Sequence, residues 1–150
     1  MNVALVSFSN NYDMQEHMYF LQKYNKSYVT IGSQNILGDF DLNENNFFFN
    51  TPNRPIIELK TFNFIEILKI VKLIKMKEIS TIIFISGHTW NYILAKILPR
   101  NVIKYHIMHE VIAHSGERTS KFSNIYIKQI VKNMDRFIVH SKAYVQLFKN

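Results

Sequence analysis

Cysteine is absent from the 150 residues, which removes disulfides, thiol nucleophiles and every zinc site built on cysteine, and fits a reducing, cytoplasmic compartment. Glycine and proline are nearly as scarce, at four and three residues. The scarcity matters most after the first apolar run. A nicotinamide or flavin site of the dinucleotide-binding kind needs Gly-x-Gly-x-x-Gly there, and Ser9-Asn10-Asn11-Tyr12-Asp13 contains no glycine. No Gly-x-x-x-x-Gly-Lys-Ser/Thr loop occurs, and Ser86-Gly87-His88 is not the Gly-x-Ser-x-Gly elbow of a serine hydrolase. No cofactor is expected. Also missing are a run of about eighteen uncharged apolar residues and a basic, then apolar leader, since Met1-Asn2-Val3 passes directly into a strand-like segment. The expectation is a protein that neither spans a membrane nor is exported.

What is present is globular: 47% hydrophobic and 19% charged residues, in a length that suits one domain with its own core. The net charge of +7 and pI near 9.6 favour anionic partners, namely phosphates, nucleic acid or an anionic membrane surface. Part of the lysine excess belongs to a general enrichment in Ile, Asn and Lys. The many Phe and Tyr residues read as core, and no RNA-binding signature accompanies them, so a nucleic-acid partner is not expected.

Strands and helices alternate along the chain. Val3 to Phe8 and Ser27 to Ile31 read as buried strands around a helix from Asp13 to Tyr24, with His17 packed against the sheet. Gly32 to Pro55 reads as irregular chain, interrupted by a short strand at Phe47–Phe49. A helix over Asn63 to Lys77 carries Phe64, Ile65, Ile67, Leu68, Val71 and Ile74 as a broad apolar surface, with Glu66, Lys69, Lys72 and Lys75 as its solvated stripe. Strands at Thr81–Ser86, Val102–Met108 and Arg136–Val139 alternate with helices at Trp90–Leu98 and Ser120–Met134, and Ser141 caps a last helix over Lys142–Asn150. This order predicts an α/β fold: one domain with an open, mostly parallel sheet and helices on both faces.

In such sheets ligands bind beyond the carboxyl ends of the strands, and the residues there are polar. Asn10 and Tyr12 follow the first strand, Gly87, His88 and Trp90 the fourth, and His109, Glu110, His114, Ser115, Gly116 and Glu117 the fifth, with His140 and Ser141 after the sixth. Four of the six histidines thus share one rim, where imidazoles bind hydroxyls or phosphate oxygens or move protons. No metal is expected. His109 and His114 are five residues apart, whereas His-Glu-x-x-His places its histidines four apart on one helical face, and His106 sits within a strand at an odd spacing from His109.

The segment from Tyr105 to Glu117 (YHIMHEVIAHSGE) resembles the strand and loop of family-four GT-B glycosyltransferases, which read His-Asp, a His-containing turn and Ser-Gly-Glu. Met134 to Ser141 (MDRFIVHS) is similar to that family's aspartate, apolar strand and serine at the sixth strand, and Ser86 to Trp90 stands where the family has a histidine after the fourth. The resemblance covers the amino-terminal Rossmann-like half. It departs from the family at Asn10-Asn11-Tyr12, where a glycine pair is usual, and at Glu110, where aspartate is usual. The second Rossmann domain is not in these 150 residues, so the expected organisation is a single domain cut before the nucleotide-sugar-binding half. The resemblance implies transfer of a glycosyl group from a nucleotide sugar to a glycan or lipid-linked acceptor, in polysaccharide or glycoconjugate synthesis, without a metal. It implies His109 near the donor sugar, Glu110 orienting the loop or a hydroxyl, and His88 with Trp90 along the acceptor side; Trp90, opening a helix, is equally placed for the core.

Two alternative readings are non-catalytic. In one the chain is a scaffold that docks on an anionic membrane through Lys69 to Lys77, Lys121, Lys128 and Lys132 and pairs with a separate donor-binding chain. In the other it is an inactive shortened product.

Overall fold

A computed structural model describes residues 2–9, 23, 28–34, 44–53, 57–108 and 128–139. Six strands, β1 (Asn2–Ser7), β2 (Tyr28–Ser33), β3 (Asn46–Phe49), β4 (Ile79–Phe84), β5 (Ile103–Met108) and β6 (Arg136–Val139), form one sheet in the order β3-β2-β1-β4-β5-β6. Every pairing is parallel. Two-sided burial explains why the strands read as unbroken apolar runs rather than alternating ones. In β1, Ala4 and Val6 point into the larger core cluster, with Val29 and Ile31 of β2 and Ile82 and Phe84 of β4. Leu5 points the other way, to Ile85 and Ile107. Leu5 and Ile85 are as fully buried as Ala4 and Val6, so both faces of the sheet centre are removed from water. The result is the α/β, Rossmann-like architecture expected from the alternation of elements.

Helices α1 (Phe64–Met76) and α2 (Thr89–Ile97) and the helical residues 128–133 supply the larger cluster, through Ile67, Ile70, Leu73, Ile74, Trp90, Leu94 and Ile130. Each such side chain contributes roughly 1.5–3 kcal/mol on full burial. Asn63 caps α1 by accepting the Glu66 backbone N–H at 3.4 Å, while Glu66 in the first turn and Lys75 in the last complement the helix dipole. The helix stops at Lys77, and Glu78 takes the left-handed conformation (φ 49°) that turns the chain into β4. Pro99 follows the end of α2.

The short strand expected at Phe47–Phe49 is present as β3, at the sheet edge. Two other sequence expectations shift. β2 runs on through Gly32 to Ser33. The larger change is at α1, where Phe64, Ile65 and Leu68 were expected on the packed surface and instead face solvent. A helix lying on a sheet hides only one side, and Ile67, Ile70, Leu73 and Ile74 occupy it. Of the helix expected over Asp13 to Tyr24 only Lys23 is described, and it is helical; His17 and the last expected helix lie outside the described residues.

The β5–β6 edge is fastened by a polar clip. The Asp135 carboxylate accepts the Lys104 backbone N–H at 2.8 Å and pairs with its ammonium at 3.0 Å, and the Asp135 N–H returns a bond to the Lys104 carbonyl at 2.9 Å. Desolvation raises the Asp135 carboxyl, but the Lys104 N–H and ammonium, with Arg136, outweigh it and leave the group below the usual carboxylate value. Lys104 itself is buried. Asp135→Ala is therefore expected to destabilise the fold by about 2 kcal/mol, less than a fully buried pair because Asp135 keeps contact with water. In denaturant titrations Lys104→Met combined with Asp135→Ala should lose less than Asp135→Ala alone, since the second change removes the stranded charge; a double variant as damaged as the sum of the singles would discount the clip.

Candidate functional site

The strand order reverses between β1 and β4, and at such a switch point the crevice beyond the strand ends is where open α/β sheets bind ligands. Here the two strand ends are laced together. The Ser7 and Ser86 hydroxyls share a hydrogen bond of 2.6 Å, the Ile85 N–H donates to the Val6 carbonyl at 3.0 Å, and the Ser9 hydroxyl donates to the Gly87 carbonyl at 3.0 Å. One strand pair away the Thr51 hydroxyl donates to Ser33 at 2.7 Å. Ser7, Ser33, Thr51 and Ser86 are all buried, so these hydroxyls form the floor under the rim.

His88 and Trp90 join three segments across that floor. The His88 Nδ1 caps α2 by accepting the Trp90 backbone N–H at 3.1 Å. With Nδ1 accepting, the ring proton lies on Nε2, which donates to the Pro52 carbonyl at 3.2 Å. Burial lowers the His88 pKa from 6.5 to about 4, against a smaller upward pull from the Pro52 carbonyl. The imidazole is thus neutral at physiological pH. Trp90 has no exposed surface, and its indole Nε1 donates to the Thr61 carbonyl at 2.9 Å. Both rings pack on Phe8 at the end of β1, at centroid separations of 5.3 and 5.7 Å.

This placement corrects the expectation that His88 lines an acceptor, and of the two alternatives for Trp90 it selects the core. Both nitrogens of His88 are engaged, and Trp90 offers no face to a sugar, because the first turn of α2 directs it into the sheet. They support the rim from below. Asn91 beside them was not singled out from the sequence, although a lone amide among Trp90, Leu94 and Ala95 on the apolar side of a helix is a visible signal. It is fully buried, its amide nitrogen donates to the Ser86 carbonyl, and its Oδ1 is the one buried side-chain polar atom without a hydrogen-bond partner among the described residues. His106 lies within β5 as expected, buried, with Nδ1 at 3.1 Å from the Phe84 carbonyl.

Asn10, Tyr12, His109, Glu110, His114, Ser115, Gly116, Glu117, His140 and Ser141 lie outside the described residues. What is described is where their segments depart. Met108, next to His109, ends β5 opposite Val139, which ends β6 next to His140. Among the described residues no three His, Asp or Glu side chains converge as metal ligands. A cavity of about 310 Å³ lies at the other end of the sheet, between Ile74, Lys75, Glu78 and Ser80 on one side and Pro99 and Asn101 on the other. It is on the amino-terminal side of β4, away from the rim where ligands of this architecture sit.

The neutral, buried state of His88 predicts a pH dependence of stability. The unfolded chain takes up the proton near pH 6.5 and the folded one only near 4, so stability is complete above this window and falls as pH drops through it, by about 3 kcal/mol in all. Urea titrations between these limits should show that slope reduced in His88→Asn, since asparagine keeps a capping oxygen without the titrating ring. An unchanged slope would reject the assignment.

The chain matches no protein-family model and no curated protein, so the functional reading rests on its own residues and their geometry.

Proposed function

We propose that the chain is the acceptor-binding half of a GT-B-type glycosyltransferase, acting in transfer of a sugar from a nucleotide-sugar donor to a glycan or lipid-linked acceptor. The observation that carries the reading is the pairing of β5 with β6. The described parts of the two segments that resemble the family, Tyr105 to Met108 and Met134 to Val139, pair as neighbouring parallel strands whose carboxyl ends, Met108 and Val139, stand side by side. Two stretches separated in sequence thus reach the same edge of the region where open α/β sheets bind substrates.

In this reading His109 lies near the donor sugar as a catalytic group, Glu110 orients the loop or a hydroxyl, and His114, Ser115, Gly116 and Glu117, with Asn10 and Tyr12, bind substrate. His88 and Trp90 act at one remove, by fixing the Pro52 and Thr61 segments beside the end of β1. Stabilising the departing diphosphate is the largest electrostatic demand of such a transfer, and it falls to a donor-binding partner domain across the cleft.

The 150 residues alone are accordingly expected to give no turnover with a panel of nucleotide sugars, and turnover should appear when a donor-binding Rossmann domain is supplied. In that reconstituted system His109→Ala should lower turnover by about 10²-fold or more, as for loss of a positioned catalytic group, with the melting temperature unchanged. Normal turnover in His109→Ala would remove that residue from the site, and robust transfer by the chain alone would overturn the division of labour.

A further inference from the structure

Among the described residues, exposed apolar side chains cluster on the segment that leads into and along α1. Ile57, Leu59, Phe62, Phe64, Ile65 and Leu68 account for six of the eleven large hydrophobic side chains that are exposed among the described residues, and Leu59 reaches 91% exposure, Ile57 80% and Ile65 69%. All six fall within twelve consecutive positions. Scattered exposed leucines need no explanation, but a cluster marks an interaction surface.

The cluster sits on a well-anchored piece of chain. Thr61, in the 3-10 turn Leu59–Phe62, is buried, and its carbonyl holds the Trp90 indole, while the Thr61 N–H donates to Glu58 at 3.0 Å. In α1 the opposite side is committed to the sheet through Ile67, Ile70, Leu73 and Ile74. Local packing therefore fixes the outward direction of the apolar side chains.

Beside them the charge is predominantly basic: Lys60, Lys69, Lys72 and Lys75 are exposed, with Lys69 in an i,i+3 pair with Glu66. From residue 57 to 77 there are five lysines (Lys60, Lys69, Lys72, Lys75, Lys77) and two acids (Glu58, Glu66). Lysine is depleted from protein–protein interfaces, and a two-fold self-association through this face would set these lysines against their own copies. Phe, Leu and Ile flanked by lysine is instead the chemistry of a surface that enters the headgroup layer of an anionic bilayer. No helix among the described residues is long and apolar enough to cross a membrane.

We infer that the face formed by Ile57 to Leu68 docks the protein peripherally on anionic phospholipid, its apolar side chains entering the headgroup boundary and Lys60, Lys69, Lys72 and Lys75 meeting the lipid charge. This goes beyond the transfer reaction and stands apart from it. It brings the start of α1, and with it the carboxyl rim at Thr61 and Trp90, to the bilayer surface.

The test is co-sedimentation of the full chain with vesicles of phosphatidylcholine alone and of phosphatidylcholine mixed with phosphatidylglycerol, at low and high salt, beside sedimentation velocity without lipid. Binding is expected to the mixed vesicles, to weaken with salt, and to be nearly absent on phosphatidylcholine. Phe62→Ser/Phe64→Ser/Leu68→Ser should lower the partition coefficient at least tenfold. Lys60→Gln/Lys69→Gln/Lys72→Gln should lower it similarly and flatten the salt dependence, whereas Arg100→Gln, an exposed basic residue outside the apolar cluster, should leave binding near wild type. Unaltered thermal unfolding in the exposed-site variants keeps the comparison clean. Equal binding to both vesicles, or wild-type binding by the apolar triple variant, overturns the inference. So does a dimer that the triple variant converts to monomer without loss of lipid binding, which would make the face a self-interface.

Discussion

The middle of the sheet governs the rest of the structure: β1 is hydrogen-bonded in parallel to β2 on one side and β4 on the other, and Ala4, Leu5 and Val6 are wholly buried. A strand paired on both edges and covered on both faces has no freedom to slip, because a one-residue shift would exchange the side chains of its two faces. Its carboxyl end therefore stands at a fixed height beside that of β4. The Ser7–Ser86 bond and the rings of Phe8, His88 and Trp90 all depend on that alignment.

Around this point His88 and Trp90 are engaged as structural supports. A histidine at a helix start near a crevice suggests proton transfer, yet His88 spends one nitrogen on the cap of α2 and the other on the Pro52 carbonyl. Burial that makes it useless as a base is what makes it a dependable strut, since a neutral imidazole with a single tautomer offers one donor and one acceptor in fixed directions. Trp90 serves the same end with its indole N–H on Thr61. The strand ends and the first turn of α2 thus form a rigid base at the carboxyl rim.

The same anchoring has a consequence on the outer side. Holding the 3-10 turn against Trp90 and seating α1 through its Ile67–Ile74 side forces the remaining apolar residues into water. Hydrophobic exposure on this scale runs against the folding gain of the isolated domain. A lipid surface would remove that penalty, and the lysines beside the apolar residues match its charge.

The sequence alone determined the order of the described elements and hence the parallel sheet, because two-sided burial leaves unbroken apolar runs such as Val3 to Phe8, and strand–helix alternation leaves few topologies open. It also placed the ends of α1 and α2 to within about two residues, through Asn63, the absence of any early breaker, and Pro99. Tertiary structure decided what periodicity could not. α1 is apolar around most of its circumference, so spacing does not say which part of its broad apolar surface meets the sheet, and Phe64, Ile65 and Leu68 face water. Nor could spacing say that His88 and Trp90 would be consumed by Pro52 and Thr61, 36 and 29 positions away, since a hydrogen bond across that distance exists only once the sheet has brought the segments together.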